Sequence, residues 1–409
     1  MKGQKSMKIF SEYKNIEEKA RKILFEMVSI DSSNPALGHN CPGEKELGEY
    51  VSTFFSDMGF PLREQEVEAD RKNILVTLPG CTEVFDKDKS HNKPVLLFEI
   101  HLDTVARSSM EEKYQDPLWE GNRLFGRGSC DTKGSLASIL LAFQELAQLQ
   151  PEEIPVLPML CAAVDEEVGA LGVMAFIDSG IKVDGAIVGE PTELVPRIGH
   201  KGVVRWKVET LGKACHSSNA KQGVNAIMQM NKVLSEMEKI QEKLPETRHV
   251  LLGEPSMNVG TIHGGIQNNV VPDQCVIDID RRTVPGETPE MILKQMDLVL
   301  SALSQRDDSF KFRRTPPSLI DLPYCADPEE KVSRASLNAC RSVMGDHLEF
   351  DVLSCSTDAS KLGPLAGIPC IILGPGSLAQ AHTSNEYIDI ESVVKCAEIY
   401  TRIIMNYPD

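Results

Sequence analysis

Val95-Leu96-Leu97-Phe98-Glu99-Ile100-His101-Leu102-Asp103 is the stretch on which the fold turns. Residues 95–100 are apolar at every position but one. That is the pattern of a strand buried on both faces in a parallel sheet. A histidine and an aspartate follow at once. In open α/β sheets the carboxyl ends of the strands face one ligand crevice, so polar groups there are informative. The pattern recurs. Residues 156–164 read as a second buried strand, followed by Asp165-Glu166-Glu167. Residues 186–188 form a short strand before Gly189-Glu190, and residues 368–373 a strand before a loop holding His382. Helical spacing of apolar residues covers 16–28, 46–58, 133–148 and 171–178, and 73–78 reads as a strand. Asp131 stands just ahead of the 133–148 helix, after the turn Gly126-Arg127-Gly128. Strand–helix alternation of this kind predicts an α/β domain with a mostly parallel sheet.

The middle of the chain changes character. Residues 202–211 alternate as a half-buried strand, with Val204, Trp206 and Val208 on one face. Residues 225–244 form an amphipathic helix. Two strands follow, 256–263 and 274–283, linked through Gly264-Gly265. A helix over 289–303 opens on Thr288-Pro289, an N-cap and first-turn pair. A strand over 309–314 ends at Pro316-Pro317. The order β-α-β-β-α-β predicts a ferredoxin-like module. After it the α/β pattern resumes, with helices over 328–343 and 390–405. The expected division is one α/β domain, 1–196 and 317–409, interrupted by a module over 197–316.

Composition sets outer limits. The chain has 409 residues, 41% hydrophobic and 25% charged, the profile of a globular protein. Its net charge of −17 should repel nucleic acid and anionic membranes, so neither is an expected partner. No apolar run reaches the roughly 18 residues of a membrane span. Residues 1–10 lack an apolar h-region, so no secretory signal is expected. Eleven cysteines cannot all pair internally, and no Cys-x-x-Cys occurs. Several, such as Cys161, Cys275 and Cys370, lie in apolar runs. They read as small buried hydrophobes in a reducing compartment, with the cytoplasm the expected location. Cys130 and Cys215, beside polar site candidates, read as packing rather than nucleophiles.

His101, Asp103, Asp131, Glu166, Glu167, Glu190 and His382 should therefore converge, although they span most of the chain. Two histidines with several carboxylates suit one or two divalent ions of zinc type. In His101-x-Asp103 the aspartate can hold the second ring nitrogen of a ligating histidine. Adjacent Glu166 and Glu167 can divide the work of base and ligand. Singly, each has an ordinary alternative: a loop pair, an acidic turn, a loop residue before Pro191, a surface histidine, a helix cap at Asp131. Their common placement at strand ends is what gives them weight. No Gly-x-Ser-x-Gly elbow and no phosphate-binding Gly-x-x-x-x-Gly-Lys-Ser/Thr loop competes.

These residues sit in motifs that resemble the zinc aminoacylase/carboxypeptidase family of metallohydrolases, which includes acetylornithine deacetylase and succinyl-diaminopimelate desuccinylase. The likeness runs in order through nearly the whole chain. It rests on 99–104, 126–134, Asp165-Glu166-Glu167, Gly189-Glu190-Pro191, His216-Ser217-Ser218, Gly264-Gly265, Asn269-Val270-Val271-Pro272, Asp280-Arg281-Arg282, Pro285-Gly286-Glu287 and His382-Thr383. The resemblance implies a di-zinc exopeptidase-like catalytic domain whose inserted module is a lid and dimerisation domain. Asp131 would bridge two ions, zinc first and cobalt or manganese as alternatives. His101 and Glu190 would complete one site, Glu167 and His382 the other. Glu166 would be the general base, and Asp103 would orient His101. The Asp131–Thr132 peptide would be cis. His216 would reach the partner subunit of a homodimer and stabilise an oxyanion. Asn269, Arg282, Gly374 and Gly376 would bind substrate. The implied reaction is deacylation of a small N-acyl amino acid in arginine or lysine biosynthesis; Glu rather than Asp at 190 implies an N-acyl amino acid or a C-terminal amino acid substrate rather than a di- or tripeptide. A carboxypeptidase or dipeptidase is the first alternative, and a non-catalytic metal-binding regulator on the same scaffold the second.

Overall fold

A computed structural model describes residues 13–88 and 91–408. The expectation for residues 1–10 lies outside them. The chain forms two compact units: Met1–Ile198 with Ala326–Asp351 and Thr357–Asp409, and Gly199–Cys325 with Val352–Ser356.

The first unit is built on a twisted mixed sheet. Counted from one edge, its first six strands are Leu62–Glu68, Arg71–Thr77, Leu157–Ala163, Val95–His101, Gly185–Val188 and Cys370–Ile372. The last four of these run parallel and are buried along their whole length, as continuous apolar runs require. From Val95–His101 the chain crosses to one neighbour, Leu157–Ala163, and later to the other, Gly185–Val188. The strand order therefore reverses beside Val95–His101, the position where such sheets open a crevice. In this register His101 lies opposite Ala163 and Glu99 opposite Val188, so three strands end at nearly one level. The helix Lys133–Leu146 is buried at every residue except Gln144 and Glu145. It packs between Tyr13–Ser29 and Ile390–Met405. A small sheet of Leu118–Glu120, Arg123–Phe125 and Tyr387–Asp389 stands apart.

Several elements escaped the periodicity. Leu62–Glu68 is a charged strand at the sheet edge, with no position fully buried, so it carries no apolar alternation. Ala359–Ala366 is a helix despite Pro364 within it. Among the described residues, no helix is long and apolar enough to cross a membrane.

The second unit is an antiparallel sheet in the order Ser256–Gly264, Gln274–Thr283, Gly202–Leu211, Lys311–Arg314, with Leu319–Asp321 also paired to Gly202–Leu211. This is the ferredoxin-like strand order. Alternate residues of Gln274–Thr283 turn inward, and Ile277 and Ile279 meet Trp206, Val208, Met230, Val233, Met296 and Leu300. The two helices, Ala226–Gln241 and Pro289–Arg306, cover that face. Both are capped: Thr288, as its sequence predicts, accepts from the Met291 amide, and Asn225 accepts from the Met228 amide.

Trp206 is among the largest fully buried side chains of the protein. Trp206→Ala should lower the stability of the second unit by about 3–5 kcal/mol. Urea unfolding followed by circular dichroism measures this, and a loss under about 1 kcal/mol would show that the ring does not anchor this core.

Candidate metal centre

The polar residues after the parallel strands converge as their register requires. His101 closes its strand; Asp165, Glu166 and Glu167 follow Leu157–Ala163 after Val164; Glu190 follows Gly185–Val188 after one glycine. Asp131 sits at a cis peptide with Thr132, two residues ahead of the buried helix. One Asp131 oxygen, Oδ1, is 3.1 Å from His101 Nε2, and the other, Oδ2, is 3.3 Å from His382 Nε2. A single carboxylate thus offers one oxygen to each histidine. His382 Nε2 is also 3.1 Å from Glu167 Oε2, and His101 Nε2 is 3.8 Å from Glu190 Oε1. Two groups of possible ligand atoms result, each within 4.8 Å: His101, Glu166 and Glu190, and Asp131, Glu167 and His382.

Asp103 supports this cluster from outside it. His101 Nδ1 lies 2.8 Å from the Asp103 main-chain carbonyl, whereas the Asp103 carboxylate is 3.6 Å away. The imidazole is thus flanked by Asp103 through its main-chain carbonyl at hydrogen-bond distance and its carboxylate a little farther away. The carboxylate is engaged elsewhere. It accepts the amides of Glu166 and Glu167, both at 3.0 Å, and Asn34 Nδ2 at 2.8 Å. It therefore fixes the backbone from which both glutamates project. Asp165, just before them, has a left-handed φ of 73°. Its carboxylate is held by Asn34 at 2.9 Å and Arg71 at 2.8 Å, and Arg71 also grips buried Glu44 at 2.6 Å. Asn34, Glu44 and Arg71 were not legible in the sequence. They come from distant segments and carry no local motif.

Crowded carboxylates under low solvation shift their protons. Burial, and then the charge of Glu190, holds Glu166 well above the usual carboxylate range. Burial, and then Asp131, pushes Glu190 up to about 8. Burial raises Glu167 as well. Bonds to Asp131 and Glu167 push His382 up to about 10. His101 rises against its own burial because of Asp103 and Asp131. Asp131 falls against its burial because both histidines bond it. A buried set of imidazoles and carboxylates that shares protons in this way fits divalent cations, which take the same donors once the protons leave. Among the described residues, no cysteine belongs to either group. Burial holds the Cys130 thiol well above its normal range, and its Sγ donates to the Ser377 carbonyl.

Gly374, expected to bind substrate, lies just after Cys370–Ile372. Its amide donates to Thr192 Oγ1 at 3.1 Å and so is already engaged. A side chain at Gly374 would strike the Glu190 carbonyl at 2.5 Å. The glycine lets the two strand-end loops pack. Gly376 has a φ of +82° and lies against Cys130, 2.5 Å from where a Cβ would stand.

In the second unit, exposed His216 bridges to Val270, and the Ser217 amide donates to the Asn269 carbonyl at 2.9 Å. His216 Nδ1 accepts the Ser218 amide at 3.2 Å. With Nδ1 as acceptor, the neutral ring carries its proton on Nε2 and presents a donor outward. Arg282 is not brought to this pair. It lies at the other end of Gln274–Thr283, bonded to Asp280 at 2.9 Å. Eight residues of strand separate the two ends by roughly 26 Å.

Comparison with known proteins follows from this geometry. Residues 97–406 match peptidase family M20/M25/M40. The acetylornithine deacetylase of Vibrio atlanticus (strain LGP32) is 30% identical over 392 residues, covering 93% of this chain and 95% of that protein. The acetylornithine deacetylase of Myxococcus xanthus is 30% identical over 400 residues, covering 95% and 97%. In fold, the chain is similar to a tripeptidase from Staphylococcus aureus, with a TM-score of 0.75 at 22% identity over 95% of this chain and 98% of that one.

Metal binding should release protons. Glu190 and His382 both hold protons at neutral pH that a cation must displace, so affinity rises as pH rises toward 8 and falls below it. Titration calorimetry of zinc in buffers of different ionisation enthalpy measures this. Uptake without proton release, at an affinity flat from pH 6 to pH 8, would contradict the assignment.

Proposed function

The chain belongs to peptidase family M20/M25/M40, and within it we propose a two-metal amidohydrolase that removes the acyl group from a small N-acyl amino acid. Family membership and the names of its relatives make it a metal-dependent hydrolase. The observation that carries the finer reading is Asp131, with one oxygen toward each histidine and Glu166 beside them. The acetylornithine deacetylases, similar across almost their whole length, favour deacylation over peptide cleavage.

His101, Asp131 and Glu190 would hold one ion; Asp131, Glu167 and His382 would hold the other. Bound there, the ions would acidify water and polarise the scissile carbonyl. Glu166 is the general base. It takes a proton from the attacking water and passes it to the leaving amine. The acyl carbon gains the water oxygen and loses the amine, so the products are a carboxylic acid and a free amino acid. His216 donates from Nε2 to the developing oxyanion, and Asn269 beside it binds the substrate. Arg282 recognises a substrate group from the opposite end of the lid.

One lid with useful residues at both ends, roughly 26 Å apart, is best employed between two sites. The sheet edge Ser256–Gly264 supports this. Ile262 on it is 51% exposed, and Ile266 just beyond is 86% exposed. A long unpaired edge with apolar side chains invites a partner strand. We place a second copy there, so that His216 acts in the partner's site. Eleven cysteines, most of them buried, fit a reducing compartment such as the cytoplasm.

Glu166→Gln should keep its metal and lose about 10²–10⁴ in kcat, as removal of an acid–base group does. The assay is a panel of N-acetyl and N-succinyl amino acids against dipeptides, with metal content measured alongside. Near-normal turnover in the variant removes Glu166 from the mechanism. Dipeptides turned over faster than every acyl amino acid move the assignment to an exopeptidase, and a metal-loaded wild type inert on the whole panel moves it to a non-catalytic regulator.

Sedimentation should report a dimer, and Ile262→Asp should shift it toward monomer while leaving metal content unchanged. A wild type that sediments as a monomer at full activity would exclude the in-trans role of His216.

A further inference from the structure

Beneath the candidate centre lies a buried ion pair to which no role has been given. Glu386 is fully buried and Arg127 is 2% exposed. Arg127 Nη1 donates to Glu386 Oε2 at 2.6 Å. The other carboxylate oxygen, Oε1, accepts the amides of Cys130 at 2.9 Å and Asp131 at 3.1 Å. The Glu386 carbonyl accepts the Gly126 amide at 3.1 Å. From the same guanidinium, Nη2 reaches the Thr383 carbonyl at 3.2 Å and Ser109 Oγ at 2.6 Å. One ion pair therefore touches the backbone of Asp131 on one side and the residue after His382 on the other.

We propose that Glu386, with Arg127, is a positioning pair that sets His382 against Asp131, and so controls one of the two metal positions. This rests on the metal-centre reading above. His382 stands in a left-handed conformation, φ 60°, which a non-glycine residue keeps only when its surroundings impose it. The loop from Thr383 to Glu386 supplies that restraint. His101 is held separately, by the Asp103 carbonyl on Nδ1 and by Thr132 Oγ1 on its own carbonyl at 3.2 Å. Loosening the pair therefore moves His382 and leaves His101 in place.

Stability alone is a poor reason for this pair. Arg127 Nε is buried without a hydrogen-bond partner, so the guanidinium is incompletely compensated. Burying two charges seldom improves on well-packed apolar residues. Only a carboxylate, however, can accept two successive amides and an arginine at once. The pair gains position, at a site where position decides ligand spacing.

The test is metal uptake by the full chain, stripped with chelator and titrated with Zn²⁺ in competition with a chromophoric chelator. Co²⁺ absorption reports the coordination of each ion. Wild type should take up two ions. Glu386→Gln keeps an oxygen for the amides but drops the charge facing Arg127. Arg127→Lys keeps the charge but cannot span Glu386 and Thr383 together. Each variant should weaken one binding step by about 10–100-fold, the effect of losing a group that orients a ligand, and leave the other within about threefold. Excess Co²⁺ should restore the second absorption band. Wild-type two-step binding in both variants overturns the proposal, as does equal weakening of both steps. If Glu386→Gln does not fold, Arg127→Lys decides alone by the same criterion. A wild type that takes up fewer than two ions instead overturns the metal-centre reading.

Discussion

Asp131, Glu166, Glu167 and Glu190 crowd the ends of three strands, and like charges out of water repel strongly. Everything around them answers that constraint. The two histidines sit among the carboxylates as cations or as ligands, and the protons are shared so that Glu190 and Glu166 rise while Asp131 falls. Asp103 shows the other half of the solution. It is fully buried, yet three N–H groups converge on it. Hydrogen bonds to a charged group contribute about 1.5–3 kcal/mol each, enough to keep that carboxylate ionised in the interior. His101 beside it lowers the carboxylate further, and the two backbone amides it accepts also lock the 165–167 turn. The side chains of Glu166 and Glu167 are then left facing the histidines.

The sheet makes that crowding possible. Parallel strands end level only when their register is fixed, and His101 opposite Ala163 fixes it. A shift of one residue would turn His101 to the other face. The apolar runs of Val95–His101 and Leu157–Ala163 tolerate no such shift, being buried on both sides with Lys133–Leu146 packed in the same unit. The glycines serve the same end. Gly374 and Gly189 sit where a Cβ would strike backbone or core, at the Glu190 carbonyl and at Ile100. The loop after Gly185–Val188 can approach that closely only because both positions lack a side chain.

Much of this was legible in the sequence, for a definable reason. Buried parallel strands print as continuous apolar runs, and the strands of the second unit print as alternation, so Gly202–Leu211 and Gln274–Thr283 were expected over the residues they occupy, as was the helix Ile390–Met405 from its own period. Strand-end polar residues then follow by position. What did not print was anything whose partner is remote. Asn34 bonds residues 69 and 131 positions away, Arg71 bonds one 94 away, and Glu386 bonds one 259 away. None has a spacing to betray it. Gly374 is ambiguous for a different reason: a glycine turn can free an amide for a ligand or allow close packing, and its bond to Thr192 has no signature in the sequence.

The two loops that carry Glu166, Glu167 and His382 share one construction. Asp165, ahead of Glu166 and Glu167, has φ 73°, and His382 has φ 60°. Left-handed backbone costs a non-glycine residue roughly 1–2 kcal/mol, so each loop needs an external hold. In both, the hold is an arginine from another element paired to a buried glutamate: Arg71 with Glu44 for the first, Arg127 with Glu386 for the second. In both, the glutamate also accepts main-chain amides, from Asp165 in one case and from Cys130 and Asp131 in the other. Apolar side chains could fill the same volume at equal or better stability. They could not fix a backbone by hydrogen bonds, and ligands a few tenths of an ångström out of place bind a hard-to-satisfy cation poorly. The buried charges are thus best understood as the means by which a rigid sheet transmits its register to two otherwise strained loops.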